Sequence, residues 1–239
     1  MAADRSLGLT ILDTLHGIGA PAGLLGGMAV SVLCPSAAPE GPFAREYKDI
    51  DLATRGTHSA QVAKCLEGLG FTPDAHFNAL HGQERLYFWH EPGQFQLDVF
   101  VDQFRLCHTL PLERAISLEA TIDPAMLLMT KLQIVQANEK DLVDAAAILH
   151  DLYPAGLRLE TVDRLVADDW GLWRTATGTL AKVEAWAGER GEPGRRAAAA
   201  ARDLAARWQA LPKSMRWKLR ARVGERVRWY EEPEEEAHG

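Results

Sequence analysis

The sequence predicts an α/β (α+β) protein in which a mixed β-sheet core precedes a helical C-terminal region. Residues 95–102 alternate between apolar and polar side chains, which is typical of a half-buried strand, whereas after residue 124 the apolar spacing becomes helical. With 239 residues and 47% apolar content, the chain is long enough for two domains. We expect a core domain over 1–123, a helical domain over 124–230 and an acidic disordered tail over 231–239.

The individual elements follow from apolar spacing and turn residues. Leu7, Ile11 and Leu15 recur at helical spacing, and Pro92-Gly93 separates two strand-like runs. The N-terminal elements expected are a helix over 5–18, a strand over 22–25, a helix over 28–33, a loop over 35–47, a strand over 49–54, a helix over 58–69, a hairpin over 85–90 and 94–102, and weaker β structure over 108–122. The C-terminal elements expected are helices over 125–136, 139–152, 160–187, 194–210 and 213–230.

The net charge of −7 argues against a protein that coats nucleic acid generally. Charge is nevertheless uneven, because residues 190–228 hold 12 Lys/Arg against 3 Asp/Glu. Basic helices can hold RNA, but an ordinary solvated helix face explains the same residues, so RNA binding stays open. An i, i+4 apolar stripe from Met215 to Val227 predicts that the last helix packs one face against the protein.

Three scattered cysteines without a Cys-x-x-Cys motif favour neither a disulfide framework nor a structural zinc site. The apolar runs are also too short for a membrane span. We therefore expect a cytoplasmic protein without a membrane partner.

Two aspartates one residue apart, Asp49 and Asp51, stand within an otherwise apolar segment. Alternate side chains of a strand point to the same side, so these carboxylates project together while Ile50 and Leu52 enter the core. Two close carboxylates repel each other unless a cation or a proton lies between them. The pair therefore predicts a site for Mg²⁺ or Mn²⁺, and a solvated strand edge is the alternative interpretation.

Asp98 is the expected third ligand, because it lies on the polar face of the strand predicted over 94–102. Asp102 shares that face but lies about 13 Å further along, at ~3.3 Å per residue. Only one of the two can join the site, and Asp98 is preferred. The pair Gly26-Gly27 lies where a strand gives way to a helix, and glycines there allow a phosphate to approach free backbone N–H groups.

Three segments together carry a family resemblance: LLGGMAV at 24–30, KDIDL at 48–52 and LDVF at 97–100. They resemble the polymerase-β-like nucleotidyltransferase superfamily, which uses a glycine turn, a metal-binding Asp-x-Asp and a third strand carboxylate. Within it, LLMTKL at 127–132 and NEKDLVD at 138–144 are similar to the helical part of AbiEii-type toxin nucleotidyltransferases.

The resemblance implies a nucleotidyltransferase fold and transfer of an NMP from an NTP to a hydroxyl acceptor, with Mg²⁺ or Mn²⁺ and release of pyrophosphate. It implies tRNA, a protein or a small molecule as acceptor, and a cognate antitoxin as a partner. The implied catalytic and metal-binding residues are Asp49, Asp51 and Asp98. The implied nucleotide-binding residues are Gly26, Gly27, Lys48, Lys131 and Asp141.

The residues themselves leave some of these roles open. Lys131 lies in an apolar helix stripe, so its ammonium must reach water or meet an anion. Asp141 follows an Asn138 N-cap, where an acid stabilises the first turn without any catalytic role, and Asp144 can pair with Lys131 or Lys140.

Two other functions also remain open from the sequence. One is a metal-dependent glycosyltransferase, which uses Asp-x-Asp as well, and the other is a nucleotidyltransferase-fold protein that binds without catalysis. Arg85 can reach a phosphate or face solvent, and the latter is the commoner outcome. The histidines lack metal-ligand spacing and are expected at surface or loop positions.

Overall fold

The computed structural model describes residues 5–232. The helices are α1 Arg5–Gly17, α2 Gly26–Leu33, α3 Ser59–Gly68, α4 Ala75–His81, α5 Pro124–Leu132, α6 Glu139–Leu152, α7 Glu160–Asp168, α8 Trp170–Gly188, α9 Gly191–Ala210 and α10 Met215–Val223. The strands are β1 Ala22–Leu25, β2 Ile50–Thr54, β3 Thr72–Pro73, β4 Arg85–His90, β5 Phe95–Val101, β6 Gln103–Arg105 and β7 Thr109–Pro111. Short 3₁₀ turns occur at Pro35–Ala37, Gly56–His58 and Gly224–Arg226.

The predicted fold class is confirmed, since the core is a five-stranded mixed sheet and the C-terminal part is helical. The strand order is β1-β2-β5-β4-β3, in which β2 and β5 run parallel and all other neighbours are antiparallel. A second, two-stranded sheet pairs β6 with β7. Alternation along β5 sends Leu97 and Val99 into the core, where both are fully buried.

The chain divides into two compact units. Unit 1 comprises 5–104 and 110–127 of the described residues, and unit 2 comprises 105–109 and 128–232. The domain boundary that the sequence places after residue 123 remains a prediction. Across residues 5–232, no helix combines the length and the apolar character that crossing a membrane requires.

Three predicted C-terminal helices differ from those observed. The helix expected over 125–136 ends at Leu132. The helix expected over 160–187 is two helices, α7 and α8, because Asp169 between them N-caps α8 by accepting the backbone N–H of Leu172 at 3.0 Å. The helix expected over 213–230 ends at Val223, where Gly224 follows with a φ of 60°.

The expectation that the stripe from Met215 to Val227 packs against the protein is wrong. Its four apolar side chains are between 41% and 70% exposed. A different face of α10 packs instead: Trp217 meets Trp173 edge-to-face at 5.2 Å, and the guanidinium of Arg220 lies 4.9 Å from the ring centre of Trp170. The rings bury more apolar area than the smaller side chains of the stripe, so they decide which face turns inward.

Most of the predicted acidic tail, residues 233–239, lies outside the described residues. The described part begins with Glu231, whose carboxylate accepts a hydrogen bond from Arg105 Nε at 2.9 Å within unit 2.

His108 lies in the loop between β6 and β7 and is buried in unit 2. Its Nε2 lies 2.9 Å from Oγ1 of Thr175, which also accepts a hydrogen bond from Trp229 Nε1. Burial lowers the pKa of this imidazole, partly offset by the negative charges of Asp169 and Glu231.

This lowered pKa predicts a loss of stability in mild acid. The unfolded chain binds a proton at His108 more readily than the folded chain does. The contribution of neutral His108 to the unfolding free energy is therefore fully present above the pKa of the unfolded state, about 6.5, and is lost as the pH falls below that value. His108→Gln should therefore show a smaller fall in unfolding free energy between pH 7.5 and 5.5 than wild type in urea titrations. Exposed His76→Gln is the control; equal pH dependence in all three proteins would contradict the prediction.

Candidate active site

Two of the three predicted carboxylates lie side by side in the sheet of unit 1. Strands β2 and β5 are parallel neighbours, and Asp51 is the register partner of Asp98. Register partners on adjacent strands are about 4.8 Å apart and point to the same face. Asp98 is 5% exposed and Asp51 is half-buried, so both carboxylates are held close together and partly out of water.

The glycine pair lies directly against this face. Strand β1 ends at Leu25, the register partner of Asp51, and α2 starts at Gly26 with a φ of 61°. A Cβ on Gly26 would collide with the Asp51 carboxylate, so only glycine allows this close approach. The N-cap residue Leu25 has no side-chain cap bond to the first N–H groups of α2. The glycine turn and the two carboxylates are therefore adjacent, and their common role in a functional site remains a prediction.

Asp49 and Lys48 are placed differently from Asp51. Strand β2 begins at Ile50 rather than at Asp49, since neither β1 nor β5 has a register partner for Asp49. Both Asp49 and Lys48 are exposed. In the part of the chain that the structure describes, no three His, Cys, Asp or Glu side chains are grouped to hold a metal ion. The metal role of Asp49 and the nucleotide role of Lys48 remain predictions.

Two arginines reach this site, one of which the sequence missed. Arg45 lies in the loop before β2, and a Cβ on Gly27 would collide with its guanidinium, which stacks 4.3 Å from the ring centre of Tyr47. Arg85 on β4 donates from Nε to Oδ1 of Asp98 at 2.8 Å. Nothing in the loop sequence around Arg45 distinguishes it, because its position depends on how the loop folds back onto α2.

Asp102, the alternative third carboxylate, has a structural contact. It follows β5 with a φ of 58°, and its Oδ1 accepts the backbone N–H of Gly56 at 2.9 Å. Its own N–H donates to the carbonyl of Thr54. Asp102 therefore stabilises the turn that follows β2 through these two hydrogen bonds.

Lys131 and its predicted neighbours form an ion-pair cluster in unit 2. Lys131 Nζ lies 2.9 Å from Oδ2 of Asp144 and 3.7 Å from Oδ1 of Asp141. The Asp144 side chain is completely buried. Asp141 also forms a reciprocal capping box with Asn138. These contacts give each of the three charged residues a structural role. A nucleotide-binding role for Lys131 and Asp141 remains a prediction.

Comparison with known protein families and with curated proteins gives no match. Among solved structures, the chain is similar to the lincomycin-bound lincosamide antibiotic adenylyltransferase LnuA, at 18% identity and a TM-score of 0.45, over 62% of this chain and 96% of that one. It is also similar to an antigenic nucleotidyltransferase-like protein from Paracoccidioides brasiliensis, at 15% identity and a TM-score of 0.43, over 88% of this chain and 94% of that one. At these scores the similarity carries no conclusion about activity.

Proposed function

We propose that this protein is a Mg²⁺- or Mn²⁺-dependent nucleotidyltransferase. One observation carries the proposal: Asp51 and Asp98 are register partners on one sheet face, and the glycine start of α2 packs against the Asp51 carboxylate. A pair of carboxylates beside an open helix N-terminus can place a cation and a phosphate chain next to each other.

The residues of the site fit a hard divalent cation. Carboxylate oxygens are the protein ligands that Mg²⁺ prefers, and it keeps part of its coordination for phosphate and water. Asp51 and Asp98 would hold the ion, and Asp49 would contribute from just before β2. When bound, the cation would neutralise charge on the triphosphate.

The other residues of the site would bind and orient the nucleotide. The N–H groups of Gly26 and Gly27 at the start of α2 would donate hydrogen bonds to phosphate oxygens. The positive charge of Arg45, beside Gly27, would offset the negative charge of the phosphates. The acceptor hydroxyl oxygen would form a bond to the α-phosphorus while the bond to the bridging oxygen breaks. Pyrophosphate would leave with that electron pair, and the hydroxyl proton would pass to Asp98.

The proposed acceptor is a hydroxyl group. The resemblance to AbiEii-type toxins supports a tRNA end or a protein hydroxyl, and a cognate antitoxin as partner; a small-molecule hydroxyl suits the same chemistry. The predicted nucleotide contacts of Lys48, Lys131 and Asp141 belong to this same resemblance.

The test uses the position of a radioactive phosphate. Each of the four NTPs, labelled in turn at the α- and the γ-phosphate, is incubated with the protein, Mg²⁺ and either total RNA, total protein or a set of hydroxylated small molecules. We expect label in one acceptor fraction from the α-position alone, and none with EDTA. Transfer from the γ-position would indicate a kinase, and no transfer from any NTP would indicate a binding protein. A parallel incubation with a nucleotide sugar labelled in the sugar tests the glycosyltransferase alternative, which transfer of that label would indicate. Each of these results would overturn the proposal.

Replacement of Gly26 by alanine tests the contact between the helix start and the carboxylate. Positive φ alone costs an alanine roughly 1–2 kcal/mol of stability. Gly19→Ala is the matched control, because Gly19 also has positive φ, at 75°, but a Cβ there meets nothing within 4 Å. We expect Gly26→Ala to lose more unfolding free energy than Gly19→Ala, and transfer activity to fall only in Gly26→Ala. Equal effects of the two substitutions would show that the Asp51 contact does not matter.

A further inference from the structure

Arg85 occupies a fixed position over one of the two carboxylates. It is the first residue of β4, opposite Phe100 on β5, while Asp98 faces Tyr87 two residues further along β4. Residues two apart on a strand share a face, so Arg85 reaches diagonally across the strand pair to Asp98. The 2.8 Å contact from Nε to Oδ1 is a charge-assisted hydrogen bond.

Two aromatic rings restrict the guanidinium. Its central carbon lies 5.2 Å from the ring centre of Phe100 and 5.8 Å from that of Phe77 on α4. Both distances are within the range of a cation–π contact, and the side chain is only 29% exposed. Arg85 is therefore only partly exposed, because one carboxylate and two rings hold its planar head group.

The position of Arg85 has an electrostatic consequence for Asp51 and Asp98. Two carboxylates this close repel each other, and a positive charge nearby reduces that repulsion. Arg85 supplies such a charge from the protein itself. Part of the negative charge of the two carboxylates is then already offset by Arg85, so a divalent cation is attracted to them less strongly.

We infer that Arg85 is a positioning residue that orients Asp98 and, through its charge, weakens the binding of a divalent cation at the Asp51–Asp98 site. This inference rests on the proposed function. It assigns two separable properties to one side chain: its geometry serves the transfer step through Asp98, while its charge sets the affinity for the cation. Removal of Arg85 therefore has opposite effects on the two, namely tighter cation binding and slower transfer.

Three substitutions separate charge from geometry. Arg85→Gln removes the charge, the stacking and the Nε contact. Arg85→Lys keeps a charge but loses the planar, stacked donor. Phe77→Leu keeps the ion pair and removes one restricting ring. Exposed Arg114→Gln removes the same charge elsewhere in unit 1 and is the control.

Cation binding is measured with Mn²⁺ alone, without nucleotide, by the loss of the free-ion signal in electron paramagnetic resonance. For Arg85→Gln we expect ~3- to 30-fold tighter Mn²⁺ binding, the range for removing one partly screened charge at ion-pair distance. Arg85→Lys and Arg114→Gln should bind Mn²⁺ within about a factor of two of wild type, a free-energy difference below RT. In the transfer assay kcat should fall ~10- to 100-fold for both Arg85 variants, because small misplacements of a reacting group have effects of this size. Phe77→Leu should show a smaller fall.

The outcomes separate this inference from the proposed function. If wild type binds Mn²⁺ and Asp98→Asn weakens that binding, but Arg85→Gln leaves both affinity and kcat unchanged, the inference about Arg85 is wrong and the nucleotidyltransferase site stands. Weaker Mn²⁺ binding by Arg85→Gln would also contradict it, since a purely structural role would lower affinity and rate together. If wild type does not bind Mn²⁺, both proposals fail. Urea titration identifies any variant that does not fold, and Arg85→Lys and Phe77→Leu then carry the test.

Discussion

Asparagine in place of Asp51 is expected to lower kcat for nucleotidyl transfer by ~10³-fold, the upper range for losing one preorganised electrostatic contact in an active site. The substitution keeps the shape of the side chain next to Gly26 but removes its charge. Without that charge the site loses one of the two register-paired carboxylates that would hold the cation. Single-turnover transfer from the α-labelled NTP measures the effect.

The stability of this variant should behave differently from its activity. Asp51 and Asp98 are like charges held side by side, so the substitution relieves their mutual repulsion, and the variant should remain folded in urea titrations. Asp13→Asn, at an exposed position of α1 in the same unit, is the matched control and should keep full activity. A variant at position 51 that transfers as fast as the Asp13 variant would remove Asp51 from the proposed site.

Methionine in place of Lys131 is expected to lower the unfolding free energy by about 3–5 kcal/mol, the cost of breaking a buried ion pair by removing one of its two residues. Asp144 is completely buried, and Lys131 lies 2.9 Å from it. Asp141 lies further from Lys131, at 3.7 Å, and keeps its capping box with Asn138 in the variant. Urea unfolding with an intrinsic tryptophan signal measures the loss.

Lys140→Met is the control for this prediction, because Lys140 is an exposed lysine on the same helix pair and should change stability by no more than about 0.5 kcal/mol. The double variant Lys131→Met/Asp144→Leu should recover most of the loss, since apolar residues often replace a buried pair at little cost. Equal losses at positions 131 and 140 would show that the pair is not important for folding.

The same variants decide whether Lys131 also binds nucleotide, as the family resemblance implies. If it does, the double variant, although stable, should raise KM for the NTP. A KM equal to that of wild type would limit Lys131 to its structural role with Asp144.

Local patterns in the sequence determined a large part of this protein. The alternation over 95–102 predicted β5, and Pro92-Gly93 predicted the hairpin with β4, because side-chain direction in a strand has a fixed period. Asn138 followed by Asp141 predicted the start of α6, since capping is completed within a few residues. The same local reasoning identified Asp51, Asp98 and Gly26, which the sheet register brings together.

Only the tertiary structure decided how separate segments share a site. The reach of Arg85 to Asp98, the position of Arg45 against Gly27 and the pairing of Lys131 with Asp144 each join residues from different elements. The exposed stripe on α10 was mispredicted for the same reason, because periodicity shows that a helix has an apolar face but not which face finds a partner. A sequence pattern records contacts that lie within one element, whereas strand register, loop packing and burial depend on the free energy of the whole chain.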